Sequence, residues 1–192
     1  MRKLYQIRRV ESGDTRRETR SSEVRRAVEQ VSESIDPAAP PSHRGECFVA
    51  LDDKRIVGTI SICRPDRHAS VEWFRRPEAA ILRRMIVDPE HEARGCREAL
   101  LDVARYWARA NEYSELVADV PADPPGTIDF LRAEGFLIVG SVCRPDSGDI
   151  HAILERAIAA AKPHTDAWFS PHRGTWFASM PRPRVNRLRS LR

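Results

Sequence analysis

The chain has 192 residues, room for one domain of ordinary size, and its 41% hydrophobic and 31% charged residues supply one core and exclude wholesale disorder. The net charge of +4 comes from 32 Lys and Arg against 28 Asp and Glu, a surplus too small to define a partner unless it is concentrated somewhere. No apolar run reaches the ~18 residues of a membrane span, and Met1-Arg2-Lys3 leads into a strand-like stretch rather than a secretory signal. A soluble, cytoplasmic protein without a membrane partner is expected.

Leu4 to Val10 alternates apolar and polar residues, the two-residue period of a half-buried strand, and stops at Ser12-Gly13-Asp14. Val24, Ala27, Val28, Val31 and Ile35 then recur at helical spacing behind the cap candidates Ser21 and Ser22. Asp36 to Gly45, with three prolines and a glycine, reads as a loop. Cys47 to Leu51 and Arg55 to Cys63 are β-rich runs of hairpin spacing around Asp52-Asp53-Lys54. After a polar stretch, Ile81 to Val87 reads as a central strand ended by Asp88-Pro89.

The longest helical signal follows, with Ala99, Leu100, Val103, Ala104, Trp107 and Ala110 on one stripe. Leu116 to Val120 is a short strand, Thr127 to Glu134 a short helix closed by Gly135, and Phe136 to Val142 and Asp149 to Glu155 are the last strands. The domain therefore closes near Ile158, giving residues 1–158 as the folded unit and 159–192 as an aromatic and Arg-rich extension. In the extension, Pro163 to Ser170 and Pro171 to Ala178 share the pattern P-H-x-x-x-W-F. No acidic residue follows Asp166, whereas Arg173, Arg182, Arg184, Arg187, Arg189 and Arg192 are basic. The aromatic residues suit anchors that fold back or meet a partner, a homodimer contact among them. The arginines could engage nucleic-acid phosphates, against the plainer reading of a solvated tail.

Four cysteines, Cys47, Cys63, Cys96 and Cys143, lie far apart without a C-x-x-C pair, which suggests reduced, isolated thiols. His164 and His172 are too few to make a metal site, so none is expected. The informative unit is Ile81 to Leu101: a strand, the Asp88-Pro89 turn, then Glu92-Ala93-Arg94-Gly95-Cys96-Arg97 at a helix start. Amide hydrogens there lack intrahelical partners and the helix dipole adds positive charge, so the turn can cradle a phosphate. Gly95 allows close backbone approach, and Arg94 and Arg97 add charge. The helix dipole could also lower the Cys96 thiol pKa, but without a histidine partner Cys96 is given no nucleophilic role.

This turn resembles motif A of the GNAT superfamily of N-acetyltransferases, (Q/R)-x-x-G-x-(G/A), which binds the pyrophosphate of acetyl-CoA. Ile81 to Pro89 is similar to the family's preceding strand, and Phe130-Leu131-Arg132-Ala133-Glu134-Gly135-Phe136 to its F-Y-x-x-x-G-F segment. The resemblance spans roughly Leu4 to Ile158. It implies an α/β (α+β) fold, a single GNAT-like domain with a mixed central sheet flanked by helices. It also implies acetyl-CoA as co-substrate, an amine as acceptor, and direct attack of the amine on the thioester. Met85, Ile86, Val87, Arg94, Gly95, Cys96 and Arg97 are then the cofactor-binding residues. A strand bulge is implied as well, with a backbone N–H near Ile86 or Val87 polarising the thioester carbonyl.

Glu92 stands where the family has Gln or Arg, Arg97 where it has Gly or Ala, Pro124 where Asn often lies, and Leu131 where a Tyr often protonates the departing thiolate. Cys143, Ser141 and Tyr113 are the nearest substitutes for that Tyr, each with an ordinary structural explanation. For the base that deprotonates the acceptor, Asp119 is the first candidate and Glu72 the second. The acceptor cleft would be lined by residues 24–45 and by the turn from Arg144 to Asp149. A non-catalytic module of the same fold, sensing acyl-CoA or binding partners through its basic tail, is the competing reading.

Overall fold

The computed structural model describes residues 4–10, 22, 24–28, 45–123, 125–144, 148–158, 169–170 and 175–177. The chain alternates strands and helices: β1 Gln6–Arg9, helix α1 (residues 24–28), β2 Gly45–Asp52, β3 Arg55–Cys63, a 3-10 turn Glu72–Phe74, and β4 Ala79–Val87. Then come α2 Pro89–Glu92, α3 Cys96–Ala110, β5 Glu115–Pro121, α4 Gly126–Ala133, β6 Leu137–Cys143 and β7 Ile150–Ala157. Short strands β8 Phe169–Ser170 and β9 Thr175–Phe177 follow. The predicted helix beyond residue 28, most of the 36–45 loop and Arg182 to Arg192 lie outside the described residues.

One sheet runs in the order β6-β7-β5-β4-β3-β2-β1-β9-β8. Every pair is antiparallel except β4 with β5, which are parallel. A parallel pair needs a long crossover, and α3 supplies it. At the far edge β9 pairs with β1, so the backbone of part of the extension joins the sheet.

Because side chains alternate across a strand, β2, β4, β5 and β7 each feed both faces. One face carries the main core, where Phe48, Ala50, Ile60, Leu82, Leu116, Ala118 and Leu154 meet Leu100, Ala104 and Trp107 of α3 and Leu131 of α4. On the opposite face are two separate clusters. Val24 and Val28 of α1 pack on Val49, Leu51 and Ile56, whereas Phe74 packs on Ala79, Ile81, Val117 and Ile153.

Gly135, at φ +84°, ends α4 in the left-handed conformation that glycine tolerates best. Gly58 has a different role. A Cβ placed there would lie 3.1 Å from Cys96 Sγ, Leu100 Cδ1 and Val87 Cγ2, so its missing side chain is what lets the start of α3 seat against β3. Gly58→Val should therefore lift the N-terminal turn of α3 and cost about 1–3 kcal/mol by overpacking, read as a lowered Tm.

Candidate active site

β4 and β5 are in register from Ala79 opposite Glu115 to Leu82 opposite Ala118, and there the pairing stops. Beyond it β4 continues to Val87 against β3 alone, and β5 continues to Pro121 against β7 alone. The break coincides with a register shift in the β3–β4 ladder. Arg84 lies opposite Ser61 and Leu82 opposite Ile62, which leaves Arg83 as the extra residue of a bulge. The expected bulge is present, centred at Arg83, three residues before the Ile86 whose amide was expected to use it. An apolar run carries no sign of which residue will lose its partner. Beyond Leu82 the edge of β4 that does not face β3 borders the gap, with no strand paired to it among the described residues.

The segment that closes the gap is built residue by residue. Pro89 starts α2 behind its N-cap Asp88, whose side chain accepts from the Glu90 amide at 3.3 Å. His91 of α2 is buried, with Nδ1 3.1 Å from the Tyr5 hydroxyl and Nε2 3.8 Å from Asp52 Oδ2, which ties α2 to the residue preceding β1 and to the end of β2. The chain then turns through Ala93 and Arg94 to Gly95, which adopts φ +90° and N-caps α3 with no side-chain cap bond. The Gly95 carbonyl accepts from Ala99, so the amides of Cys96 and Arg97 open a 15-residue helix ahead of its first intrahelical bond. Arg94 is exposed beside them.

The two departures from the motif resolve each other. The Glu92 carboxylate and the Arg97 guanidinium form a close ion pair across the turn, and the guanidinium also lies 5.9 Å from the centre of the Phe130 ring on α4. The carboxylate is neutralised locally rather than aimed at the amides. Cys96 departs from expectation in the other direction. It is fully buried under Gly58, and desolvation pushes its thiol up to about 12, overriding the helix dipole. Nothing in this arrangement requires Cys96 to react, and its place in the core is structural.

Asp119 is the first β5 residue beyond the break. Its side chain is 2% exposed and engaged on both oxygens: Oδ1 with His151 Nδ1 at 2.7 Å, and Oδ2 with Arg144 in close contact and with Arg83 at 3.8 Å. By alternation it shares a face with Val117, opposite α3 and α4. Arg83 also lies 4.8 Å from the centre of the Phe74 ring, so the 3-10 turn borders this cluster. Glu72 opens that turn and is exposed. Leu131 is buried in the main core, Tyr113 stacks on Trp107 with centroids 5.7 Å apart, and Ser141 and Cys143 are exposed on β6. Pro124 lies outside the described residues. Sequence reading did not single out His151 or Arg83, because their relation to Asp119 depends on strand order and on a bulge.

A cavity of about 270 Å³ lies beside α2, lined among others by Asp52, Arg55, Asp88, Glu90, His91 and Arg94. Its three carboxylates against two arginines make it a poor receptor for a diphosphate, unlike the amides at the start of α3. No group of three metal-ligating side chains occurs among the described residues, and no helix among them is long and apolar enough to cross a membrane.

Residues 43–137 match the family profile described as "Acetyltransferase (GNAT) domain". Solved structures of similar fold include a GNAT-family protein from Desulfovibrio desulfuricans, 18% identical with a TM-score of 0.61, covering 80% of this chain and 98% of that one. The ribosomal-protein-S5-alanine acetyltransferase of Vibrio fischeri is 18% identical with a TM-score of 0.56, covering 85% and 98%. The ribosomal-protein-S18-alanine N-acetyltransferase of Escherichia coli is 16% identical with a TM-score of 0.56, again covering 85% and 98%. No curated protein sequence matches the chain.

Burial of Cys96 and exposure of Cys143 give a direct check on the thiol assignments. In the native protein at pH 8, an aromatic disulfide reagent should modify Cys143 rapidly and leave Cys96 untouched until unfolding. Cys143→Ser should remove the fast phase.

Proposed function

The chain carries a domain of the GNAT acetyltransferase family, and on that premise we propose that it transfers an acetyl group from acetyl-CoA to a primary amine by direct attack on the thioester. The observation that carries the reading is the parting of β4 and β5 after Leu82 and Ala118 beside the Gly95-capped start of α3. Acetyl-CoA would supply the activated thioester.

The chain's own groups account for the rest. Amides of Cys96 and Arg97, with the positive end of the α3 dipole, would hold phosphate oxygens, and Gly95 keeps side-chain bulk away from them. Arg94 adds an exposed positive charge. Met85, Ile86 and Val87 line the β4 side of the gap, where free strand amides can pair with an extended amide-bearing arm and present a donor to a developing oxyanion. Holding both reactants in one cleft supplies most of the acceleration such a transfer needs. Leu131 cannot donate a proton, so the departing thiolate is protonated by solvent or by the attacking amine.

The acceptor approaches from the face opposite α3, where the α1 cluster and the Phe74 cluster leave the sheet between them. Two of the similar structures are named as acetyltransferases of an alanine in a ribosomal protein, and alanine offers an amine only at a chain's N-terminus. Peptides with free N-termini accordingly belong in the acceptor panel together with small alkylamines.

Acetyl-CoA at about 100 times its Kd should stabilise the protein by about 2.7 kcal/mol, read as a rise in Tm of several degrees. Gly95→Val, which places a β-branched residue at φ +90°, should abolish the rise while the protein remains folded. Thiol release should then depend on an amine of the panel. Stabilisation without thiol release would favour a non-catalytic acyl-CoA-binding module.

A further inference from the structure

We propose that His151 takes the proton from the acceptor ammonium, with Asp119 as the residue that positions it; this rests on the acetyl-transfer reading above. In the β5–β7 ladder Asp119 lies opposite Ile153 and Pro121 opposite His151, so Asp119 and His151 are diagonal neighbours on one face of the sheet. The 2.7 Å contact between Asp119 Oδ1 and His151 Nδ1 fixes the ring. Arg144 and Arg83, both on Oδ2, keep the carboxylate ionised, and an ionised carboxylate only accepts hydrogen bonds. The hydrogen of the neutral imidazole therefore sits on Nδ1 and its basic lone pair on Nε2.

This division of labour follows from burial. Asp119 is 2% exposed and both of its oxygens are engaged, whereas His151 retains 17% exposure of its side chain. Asp119 is thus the poorer partner for a substrate and the better anchor. Position agrees: Leu82 and Ala118 are the last paired residues of β4 and β5, and the next residues along the two strands are Arg83 and Asp119. The cluster stands at the mouth of the gap, on the face from which the acceptor enters. Besides His151, the charged groups that meet Asp119 are Arg83 on β4 and Arg144 after β6.

The ammonium loses one proton to His151 Nε2, and the freed lone pair forms the C–N bond to the acyl carbon. The C–S bond breaks and the thiolate leaves with the sulfur electron pair. The remaining excess N–H proton passes to that thiolate, giving amide and free thiol, and His151 releases its proton to water.

The test compares two acceptors in the full chain with acetyl-CoA. Hydroxylamine is largely unprotonated at neutral pH and needs no base, whereas the alkylamines of the panel are ammonium ions. His151→Gln should lower turnover of the alkylamines by at least about tenfold while changing that of hydroxylamine by less than about twofold. Asp119→Asn should bias the ratio in the same direction, and the thermal shift with acetyl-CoA should persist in both variants. Equal loss for both acceptors, or an unchanged alkylamine rate in His151→Gln, would overturn the assignment. A wild-type chain that acetyl-CoA fails to stabilise contradicts the underlying transferase reading instead. One that is stabilised but turns over neither acceptor overturns the proton transfer and leaves cofactor binding standing.

Discussion

Two neighbouring parallel strands that share hydrogen bonds for four residues and then diverge create a problem that the rest of the molecule is arranged around. Main-chain amides and carbonyls of β4 beyond Leu82 and of β5 beyond Ala118 lose each other as partners in the middle of a sheet. Unpaired backbone groups are tolerated where water or a ligand can reach them. The bulge at Arg83 starts the divergence, and the outer strands hold it open because β3 follows β4 while β7 follows β5.

Packing then puts a helix start at the same place. α3 must cross from β4 to β5, and its apolar stripe of Leu100, Ala104 and Trp107 fixes it on the main core. Gly58 sets how closely its first turn approaches the sheet, and the contacts of His91 with Tyr5 and Asp52 hold the preceding turn. The amides after Gly95 are thus presented by the fold rather than by any one side chain. This explains how the site accommodates Glu92 and Arg97: their charges pair with each other, and the backbone donors are untouched.

The sequence was most legible where periodicity reports burial. The stripe of α3, the strand from Ile81 to Val87, the Asp53-Lys54 hairpin and the Gly135 cap all follow from spacing and from local conformational preference. It was least legible where function depends on which strands become neighbours. Alternation puts Asp119 and His151 each on a face, but only the antiparallel β5–β7 pairing makes them adjacent. Cys96 shows a second kind of limit. A helix start favours the thiolate, and burial opposes it more strongly, yet burial at that position is set by the absent side chain of Gly58, 38 residues earlier. Glu92 and Arg97 each look unfavourable beside a diphosphate when taken singly, and the turn between them makes them partners.

The most direct test of the gap between β4 and β5 as a binding site is amide hydrogen exchange with and without coenzyme A. Protection is expected at Arg83 to Val87 and at Cys96 and Arg97, with little change in β2 or β6. Protection confined to other segments, or none at saturating coenzyme, would contradict the placement of the cofactor.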